Sequence, residues 1–140
     1  MLLEAEILGK YRNIAVIGAS SNPERPSHRV LKYLTKHGYH TTPVNPNEQE
    51  ILGKASYTNL SSIPEKVDVV DIFRKSEDVM PIVNEAIKIG AKVIWMQEGI
   101  INEEAAARAK DAGPLVVMDR CMRKEHLQIA RSKRKRVRGD

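Results

Sequence analysis

The residues best suited to chemistry form a small-residue loop at positions 18–25, which reads Gly-Ala-Ser-Ser-Asn-Pro-Glu-Arg. The apolar run Ile14–Ile17, typical of a buried parallel strand, precedes this loop, and Pro26 opens a helix after it. Small residues allow backbone N–H groups to approach a phosphate closely, and a helix N-terminus adds the positive end of a dipole. The loop is therefore expected to bind an anion, most simply a phosphate.

Two arginines stand where they could hold phosphate groups. Arg25 closes the loop, and Arg74 follows the apolar stretch 67–73. A guanidinium group can hold a phosphate through two parallel hydrogen bonds. A ligand with a pyrophosphate and a separate phosphomonoester would explain both residues. The alternative for each is a surface arginine whose stem lies over apolar surface.

Common nucleotide motifs are incomplete in this chain. An NAD site needs Gly-x-Gly-x-x-Gly and an acid after the second strand, whereas the loop has one glycine and Asn45 is uncharged. A P-loop needs Ser or Thr after Gly-Lys, but the two Gly-Lys pairs precede Tyr11 and Ala55. Because both motifs are incomplete, the sequence weighs against NAD and ATP sites of the usual kinds.

Other catalytic groupings are not indicated. None of the histidines has a metal-ligand or triad spacing: His28, His37, His40 and His126. Of these, His28 is expected on a helix surface, with a phosphate contact as its alternative. Asp68 and Asp71 stand three apart on a strand, so they point to opposite faces and are expected to be structural or solvated.

Strand and helix signals alternate along the chain. The predicted strands are Ile14–Ile17, Thr41–Val44, Val67–Phe73, Lys92–Met96 and Leu115–Met118. The predicted helices cover 2–8, 26–36, 76–89, 103–112 and 123–130, and Pro81 predicts a kink or a separate first turn in the third of them. This order implies an α/β fold with a five-stranded parallel sheet and helices on both faces. Ligands of such sheets bind at the carboxyl ends of the strands, which directs attention to the residues after each strand.

Composition limits the class of protein. The chain of 140 residues predicts one domain. Residues 131–140 hold six Lys and Arg and one acid, so residues 1–130 carry equal numbers of basic and acidic side chains and the net charge of +5 lies in the tail. We expect a domain over 1–130 and a basic, disordered tail over 131–140, with nucleic-acid binding by the tail as a minor alternative.

Location and cysteine chemistry follow from the same composition. No apolar run approaches the roughly 20 residues of a membrane span, and acids near the N-terminus disfavour a signal peptide, so a cytoplasmic location is expected. The single cysteine, Cys121, excludes an internal disulfide framework and a cysteine-based metal cluster. Leu2 and Leu3 would suit a homodimer contact.

Five blocks give the chain a family resemblance. They are Gly-Ala-Ser-Ser-Asn-Pro-x-Arg-Pro-Ser from Gly18, Pro-Val-Asn-Pro from Pro43, Val-Asp-Ile-Phe-Arg from Val70, Trp-Met-Gln-Glu-Gly-Ile from Trp95, and Met-Asp-Arg-Cys from Met118. In these blocks the chain resembles the single-domain CoA-binding proteins, which are similar to the CoA-binding N-terminal domain of the succinyl-CoA synthetase alpha subunit. The resemblance covers roughly residues 10–130. It implies a Rossmann-like three-layer sandwich that binds coenzyme A along the strand ends.

The resemblance also implies roles for individual residues. It implies a phosphate site at Gly18, Ala19, Ser20, Ser21 and Arg25, adenosine contacts at Val44, Asn45 and Pro46, and a wall at Phe73 and Arg74. It further implies a pantetheine path along Met96, Gln97, Glu98, Gly99 and Ile100, where Met96 and Gln97 replace the Ile and Thr of the synthetase. The glycine-richer turn of the synthetase is absent from the loop. The resemblance covers the binding domain alone, so the ligase activity, which depends on a second domain and a partner subunit, is not expected to come with it.

The expected function is therefore binding of CoA or an acyl-CoA without catalysis, for a sensing, storage or carrier role. The alternative is a nucleotide-dependent (NAD or NADP) oxidoreductase or an acyl-CoA-handling enzyme subunit. Cys121 has Arg120, Arg123 and Lys124 nearby, which would favour its thiolate and a mixed disulfide with CoA. A buried structural cysteine is the expected role at that position, with the mixed disulfide as the alternative.

Overall fold

The computed structural model describes residues 3–137, and the side chains up to residue 134. The helices are α1 (Leu3–Lys10), α2 (Pro26–Lys36), α3 (Val79–Lys88), α4 (Glu103–Ala112) and α5 (Met122–Val137). The strands are β1 (Asn13–Ile17), β2 (His40–Val44), β3 (Glu50–Ile51), β4 (Lys54–Ala55), β5 (Val69–Ile72), β6 (Val93–Met96) and β7 (Leu115–Val117). Short 3₁₀ turns cover Leu60–Ser62 and Ser76–Asp78.

Five strands form one parallel sheet in the order β2-β1-β5-β6-β7. The chain first moves outward from β1 to β2 and later returns to the other side of β1 at β5. The strand order therefore reverses between β1 and β5, where the register pairs Ile17 with Ile72. In sheets of this kind the crevice beyond the carboxyl ends of such a strand pair is the usual ligand site.

Alternating side chains of the strands bury two apolar layers. On one face, Ile17, Ile72 and Met96 pack in a cluster with the helices α3 and α4. On the other face, Val16 and Trp95 pack in a cluster with α1, α2 and α5. Successive side chains of a strand point to opposite faces, so each strand contributes to both layers. Helices on both faces of a parallel sheet confirm the predicted α/β fold.

Local signals explain the ends of the helices near the strand tips. Asn102 Oδ1 accepts a hydrogen bond of 2.9 Å from the Ala105 N–H, and Gly113 with φ of 117° follows the helix, so α4 has the predicted bounds. Pro81 lies in the first turn of α3, where its missing N–H costs no helical hydrogen bond. The 3₁₀ turn Ser76–Asp78 is the predicted separate first turn.

Two elements differ from the sequence-based expectations. The β3–β4 hairpin was not predicted, because strands of two residues have no measurable periodicity. The last helix does not end at Ala130 but continues to Val137, into the segment that was expected to be a tail. Lys and Arg are good helix formers, which explains the extension. Residues 138–140 lie outside the described residues.

The structure also bears on the two leucines that were expected to suit a dimer contact. Leu3 is half-buried and packs against the cluster formed with α1, α2 and α5, so it is not a free apolar side chain. Leu2 lies outside the described residues. None of the helices between residues 3 and 137 combines the length and apolar character that crossing a bilayer requires.

Candidate ligand-binding cleft

A cavity of about 310 Å³, here called the cleft, opens at the carboxyl ends of β1, β2 and β5. Its lining consists of loop and helix-start residues: Gly18, Ser20, Arg25, Pro26, Ser27, Asn45, Phe73 and Arg74. All of these except Pro26 and Ser27 were predicted site residues. The cleft therefore lies at the reversal of strand order, where the fold places ligand sites.

A larger cavity, of about 500 Å³, lies at the opposite end of the sheet. Its lining includes Leu8 of α1, Arg12 before β1, Tyr39 before β2 and His126 of α5. It faces the amino ends of the strands, and the predicted site residues do not line it. Because volume alone does not identify a site, we take the cleft as the candidate site from the position of the polar groups at the carboxyl ends.

Gly18 is required by a close approach of two loops. Its φ is +83°, and a Cβ atom built on it would lie 2.1 Å from the carbonyl oxygen of Phe73. The Gly18 N–H donates to the Val44 carbonyl at 3.0 Å, and the Phe73 N–H donates to the Ile17 carbonyl at 2.9 Å. Gly18 thus joins the tips of β1, β2 and β5, and any side chain there would push β5 away.

Hydrogen bonds fix the conformation of the loop after Gly18. The Asn22 N–H donates to Ser20 Oγ, and the Glu24 N–H donates to Asn22 Oδ1, both at 3.0 Å. His28 is buried, and its Nδ1 lies 2.8 Å from the Ser20 carbonyl oxygen, which requires the proton on Nδ1. His28 therefore positions the loop from α2, a role that its expected place on a helix surface did not suggest.

Backbone N–H groups and two arginines lie in or beside the cleft. The N–H groups of Ala19 and Ser20 have no acceptor among the described residues, and neither does the N–H of Ser27, the first one that α2 offers after Pro26. No ion pair formed by the described residues involves Arg25 or Arg74. Unpaired N–H groups at a helix start together with free guanidinium groups make a site for phosphate oxygens.

The outer part of the same loop is closed to an anion by a carboxylate. Glu48 Oε2 accepts hydrogen bonds from the Ser21 N–H at 3.2 Å and from Asn45 Nδ2 at 3.3 Å. Asn45 Nδ2 also donates to the Ala19 carbonyl at 2.8 Å. Ser21 is exposed and does not line the cleft, so the anion site is confined to the inner side of the loop. Glu48 was not predicted because the candidate residues were those directly after each strand, and Glu48 comes later in the turn after β2.

The predicted residues after β6 lie beyond Phe73 and do not line the cleft. Met96 is buried in the core against α3 and α4, and the exposed Glu98 pairs with Lys124 Nζ at 2.9 Å. The Gly99 N–H donates to Asp119 Oδ1 at 2.7 Å, which ties this turn to the end of β7. Ile100 is half-buried.

The remaining predicted residues have mainly structural surroundings. Val44 is buried in the core, and Pro46 is exposed on the turn after β2. Cys121 is half-buried beside the cluster formed with α1, α2 and α5. No group of three or more His, Cys, Asp or Glu among the described residues could hold a metal ion.

A buried acid lies beneath the turn after β6. Asp71 of β5 has no exposed surface, and its Oδ1 accepts a hydrogen bond of 2.6 Å from Gln97 Nε2. Burial raises the pKa of Asp71 to about 8, and the hydrogen bond from Gln97 lowers it by less. The spacing of Asp68 and Asp71 on the strand suggested structural or solvated acids, and the structure shows that Asp71 is fully enclosed.

Comparison with known proteins identifies related sequences. Residues 12–127 match the family model described as "CoA binding domain". An uncharacterized protein of Bacillus subtilis, YneT, is 40% identical over 121 residues, which are 86% of this chain and 90% of YneT. The alpha subunit of an ADP-forming acetate–CoA ligase II from Pyrococcus furiosus is 33% identical over 104 residues. That alignment covers 71% of this chain and 23% of the ligase subunit.

A solved structure agrees with these matches. A hypothetical protein from Pyrococcus horikoshii superposes with a TM-score of 0.87 at 46% sequence identity, covering 89% of this chain and 88% of that one. The fold and its strand order are therefore shared with a relative of similar length, whereas this chain corresponds to a minor part of the ligase subunit.

Proposed function

This chain belongs to the CoA binding domain family, and from that premise we propose that it binds coenzyme A or an acyl-CoA in the cleft at the carboxyl ends of its strands. The observation that carries the proposal is the meeting of unpaired backbone N–H groups with Arg25 and Arg74 at the reversal of strand order. CoA has a pyrophosphate and a separate 3′-phosphate, so it offers an anionic group to each arginine.

The order of the strands supports a direction for the ligand. The adenosine end would contact Asn45 and Pro46 after β2, with Val44 buried beneath them, and the phosphates would lie over Gly18, Ala19 and Ser20 after β1. The pantetheine arm would then pass the wall at Phe73 toward the turn from Gln97 to Ile100 after β6. These groups follow one another across the sheet as β2, β1, β5 and β6, which is how an extended three-part ligand would lie.

We propose that the chain holds CoA and does not convert it, in a sensing, storage or partner-directed role in the cytoplasm. The ligase relative that shares this domain is more than four times as long as the aligned part, since the alignment covers 23% of it. A binding domain does not bring the activity of the whole subunit with it, because function resides in specific sites.

A nicotinamide dinucleotide is the second candidate, and Glu48 is the observation that favours it. Its carboxylate lies beside the loop after β1, near where an acid would contact ribose hydroxyls in an NAD site. The two candidates differ in their phosphates, since NAD lacks the phosphomonoester that a second arginine would bind.

Thermal unfolding with a ligand panel separates the candidates. CoA and acetyl-CoA should raise the melting temperature increasingly with concentration, because a ligand that binds only the folded state stabilises it. NAD, NADP and ATP at equal concentrations should have smaller effects. Stabilisation by NAD without stabilisation by CoA would overturn the proposal. The matched control for Arg74→Ala is Arg108→Ala, since both changes remove one positive charge. Arg108 is an exposed arginine of α4 and does not line the cleft.

A further inference from the structure

Asp71 occupies an unusual place for an acid. It lies in the centre of the sheet between Val16 of β1 and Trp95 of β6, and all three side chains have no exposed surface. Its Oδ2 is the one fully buried side-chain nitrogen or oxygen atom without a hydrogen-bond partner among the side chains that the structure describes. An unpaired buried carboxylate oxygen is costly, so it calls for a chemical explanation.

Gln97 links this enclosed acid to the turn after β6. Its backbone is fixed, because its N–H donates to the Ile72 carbonyl at 3.3 Å and its carbonyl accepts from the Ile100 N–H at 2.9 Å. The side-chain Nε2 donates to Asp71 Oδ1. Oε1 accepts no hydrogen bond from a described residue, yet it is not among the fully buried atoms, so it keeps contact with the outside.

No other charged side chain among the described residues forms a hydrogen bond with the Asp71 carboxyl group or the Gln97 amide. The helices over this face contribute buried apolar side chains, among them Leu8 of α1, Leu31 of α2 and Met122 of α5. Their titratable side chains toward the carboxyl end include His28 of α2, which is bound to the Ser20 carbonyl, and Glu125 of α5, with Cys121 just before that helix. None of these forms a hydrogen bond with the Asp71 carboxyl group, so Gln97 is its one polar contact among the described side chains.

We propose that Asp71 is a positioning residue whose proton decides which end of the Gln97 amide faces the pantetheine arm of CoA. An ionised Asp71 accepts from Nε2 and leaves the Gln97 oxygen outward. A protonated Asp71 donates its O–H to that oxygen, so the amide turns and its N–H₂ faces outward. The inference rests on the proposed CoA site and adds to it a control by a group that does not touch the ligand.

The protonated form is the one that binds. An outward N–H₂ donates to a carbonyl of the arm, whether from a pantetheine amide or from an acyl thioester. The ionised form offers an oxygen instead and adds a buried negative charge near a ligand that carries several phosphates. Both effects act in the same direction, so raising the pH through the titration of Asp71 weakens binding.

The test compares two ligands across pH. A CoA thioether has the full arm and a sulfur that does not ionise, whereas adenosine 3′,5′-bisphosphate has no arm. Between pH of about 6.5 and about 9.5, the Kd of the thioether should rise relative to that of the bisphosphate by about tenfold, the worth of one net hydrogen bond. Isothermal titration calorimetry at several pH values measures both constants.

Matched variants identify the responsible group. Asp71→Asn cannot ionise, and its N–H₂ can donate to Gln97 as a protonated acid does, so the ratio of the two constants should stay near its neutral-pH value throughout. Asp68→Asn removes another buried acid, which pairs with Lys66 at 3.5 Å outside the cleft, and should retain the pH dependence of the wild type. A pH-dependent ratio that survives in Asp71→Asn would overturn the inference.

A second measurement in the unaltered protein does not depend on the folding of a variant. The ¹³Cγ resonance of Asp71 follows its ionisation, and saturation with the thioether should move the midpoint of that titration to higher pH. An unchanged midpoint would refute the role of Asp71 while leaving CoA binding intact. Failure of both ligands to bind at any pH would refute the proposed function itself, and with it this inference.

Discussion

Replacing Asp71 by asparagine should change how stability depends on pH. Burial raises the pKa of Asp71 from 3.8 to about 8, with a smaller opposing effect of the Gln97 hydrogen bond. Between these values the folded chain keeps a proton that the unfolded chain has released. The free energy of unfolding therefore falls by about 1.4 kcal/mol for each pH unit in this window.

The direction and limits follow from the two protonation states. Below a pH of about 4 both states hold the proton, and above about 8 both have released it, so Asp71 affects the slope only between them. From about pH 5 to about pH 7, the wild type should lose about 3 kcal/mol relative to Asp71→Asn. Burial lowers the pKa of His126, which makes stability rise with pH, but this contribution is common to both proteins and cancels.

Urea denaturation at several pH values provides the assay. The chain has one tryptophan, and Trp95 is fully buried beside Asp71, so its fluorescence reports unfolding, with far-UV circular dichroism as an independent probe. Asparagine keeps the shape of the side chain, and its N–H₂ can donate to Gln97, the residue that contacts Asp71, as the protonated acid does. Any cost of the substitution that does not depend on pH shifts all points equally. A stability difference that stays constant from pH 5 to pH 7 would refute the buried, protonated acid.

Three further changes test the cleft. Gly18→Ala should lower the free energy of unfolding by about 2 kcal/mol more than Gly38→Ala in urea denaturation, because both have positive φ but only Gly18 meets a backbone atom; equal losses would contradict the close approach. Arg74→Ala should weaken CoA binding by about 10- to 100-fold in calorimetry, as expected for a lost charge-assisted hydrogen bond. An unchanged Kd would remove Arg74 from the site. His28→Ala should speed amide hydrogen exchange over residues 19–22, since the Ser20 carbonyl loses its donor, and unaltered exchange would show that His28 does not hold the loop.

Much of the fold could be predicted because local and long-range signals agree. The five core strands are short apolar runs bounded by turns, and α4 has a capping Asn102, acids in its first turn and a following Gly113. The β3–β4 hairpin lacked such signals, since each strand has two residues and Leu52 adopts a φ of +52° that its residue type does not suggest. The continuation of α5 was missed because a run of charges was equated with a solvated tail.

The cleft was predictable in part for a similar reason. Residues after parallel strands meet at one edge, so Gly18, Asn45 and Arg74 could be grouped from their positions alone. The contacts of His28 and Glu48 depend on how the loop after β1 folds back, which spacing does not reveal. For Asp71, the strand period predicted a face opposite to that of Asp68, but it could not show that the carboxyl group has no second polar partner.

Amide chemical-shift mapping with CoA tests the central claim most directly, since it reports both the ligand and its place. In ¹⁵N–¹H spectra, saturable shifts should concentrate at the cleft, at Ala19, Ser20 and Ser27, and extend to Gln97 after β6. Arg12 and His126, in the cavity at the opposite end of the sheet, should not respond. Shifts confined to that opposite cavity, or none at saturating CoA, would contradict a CoA site at the carboxyl ends of the strands.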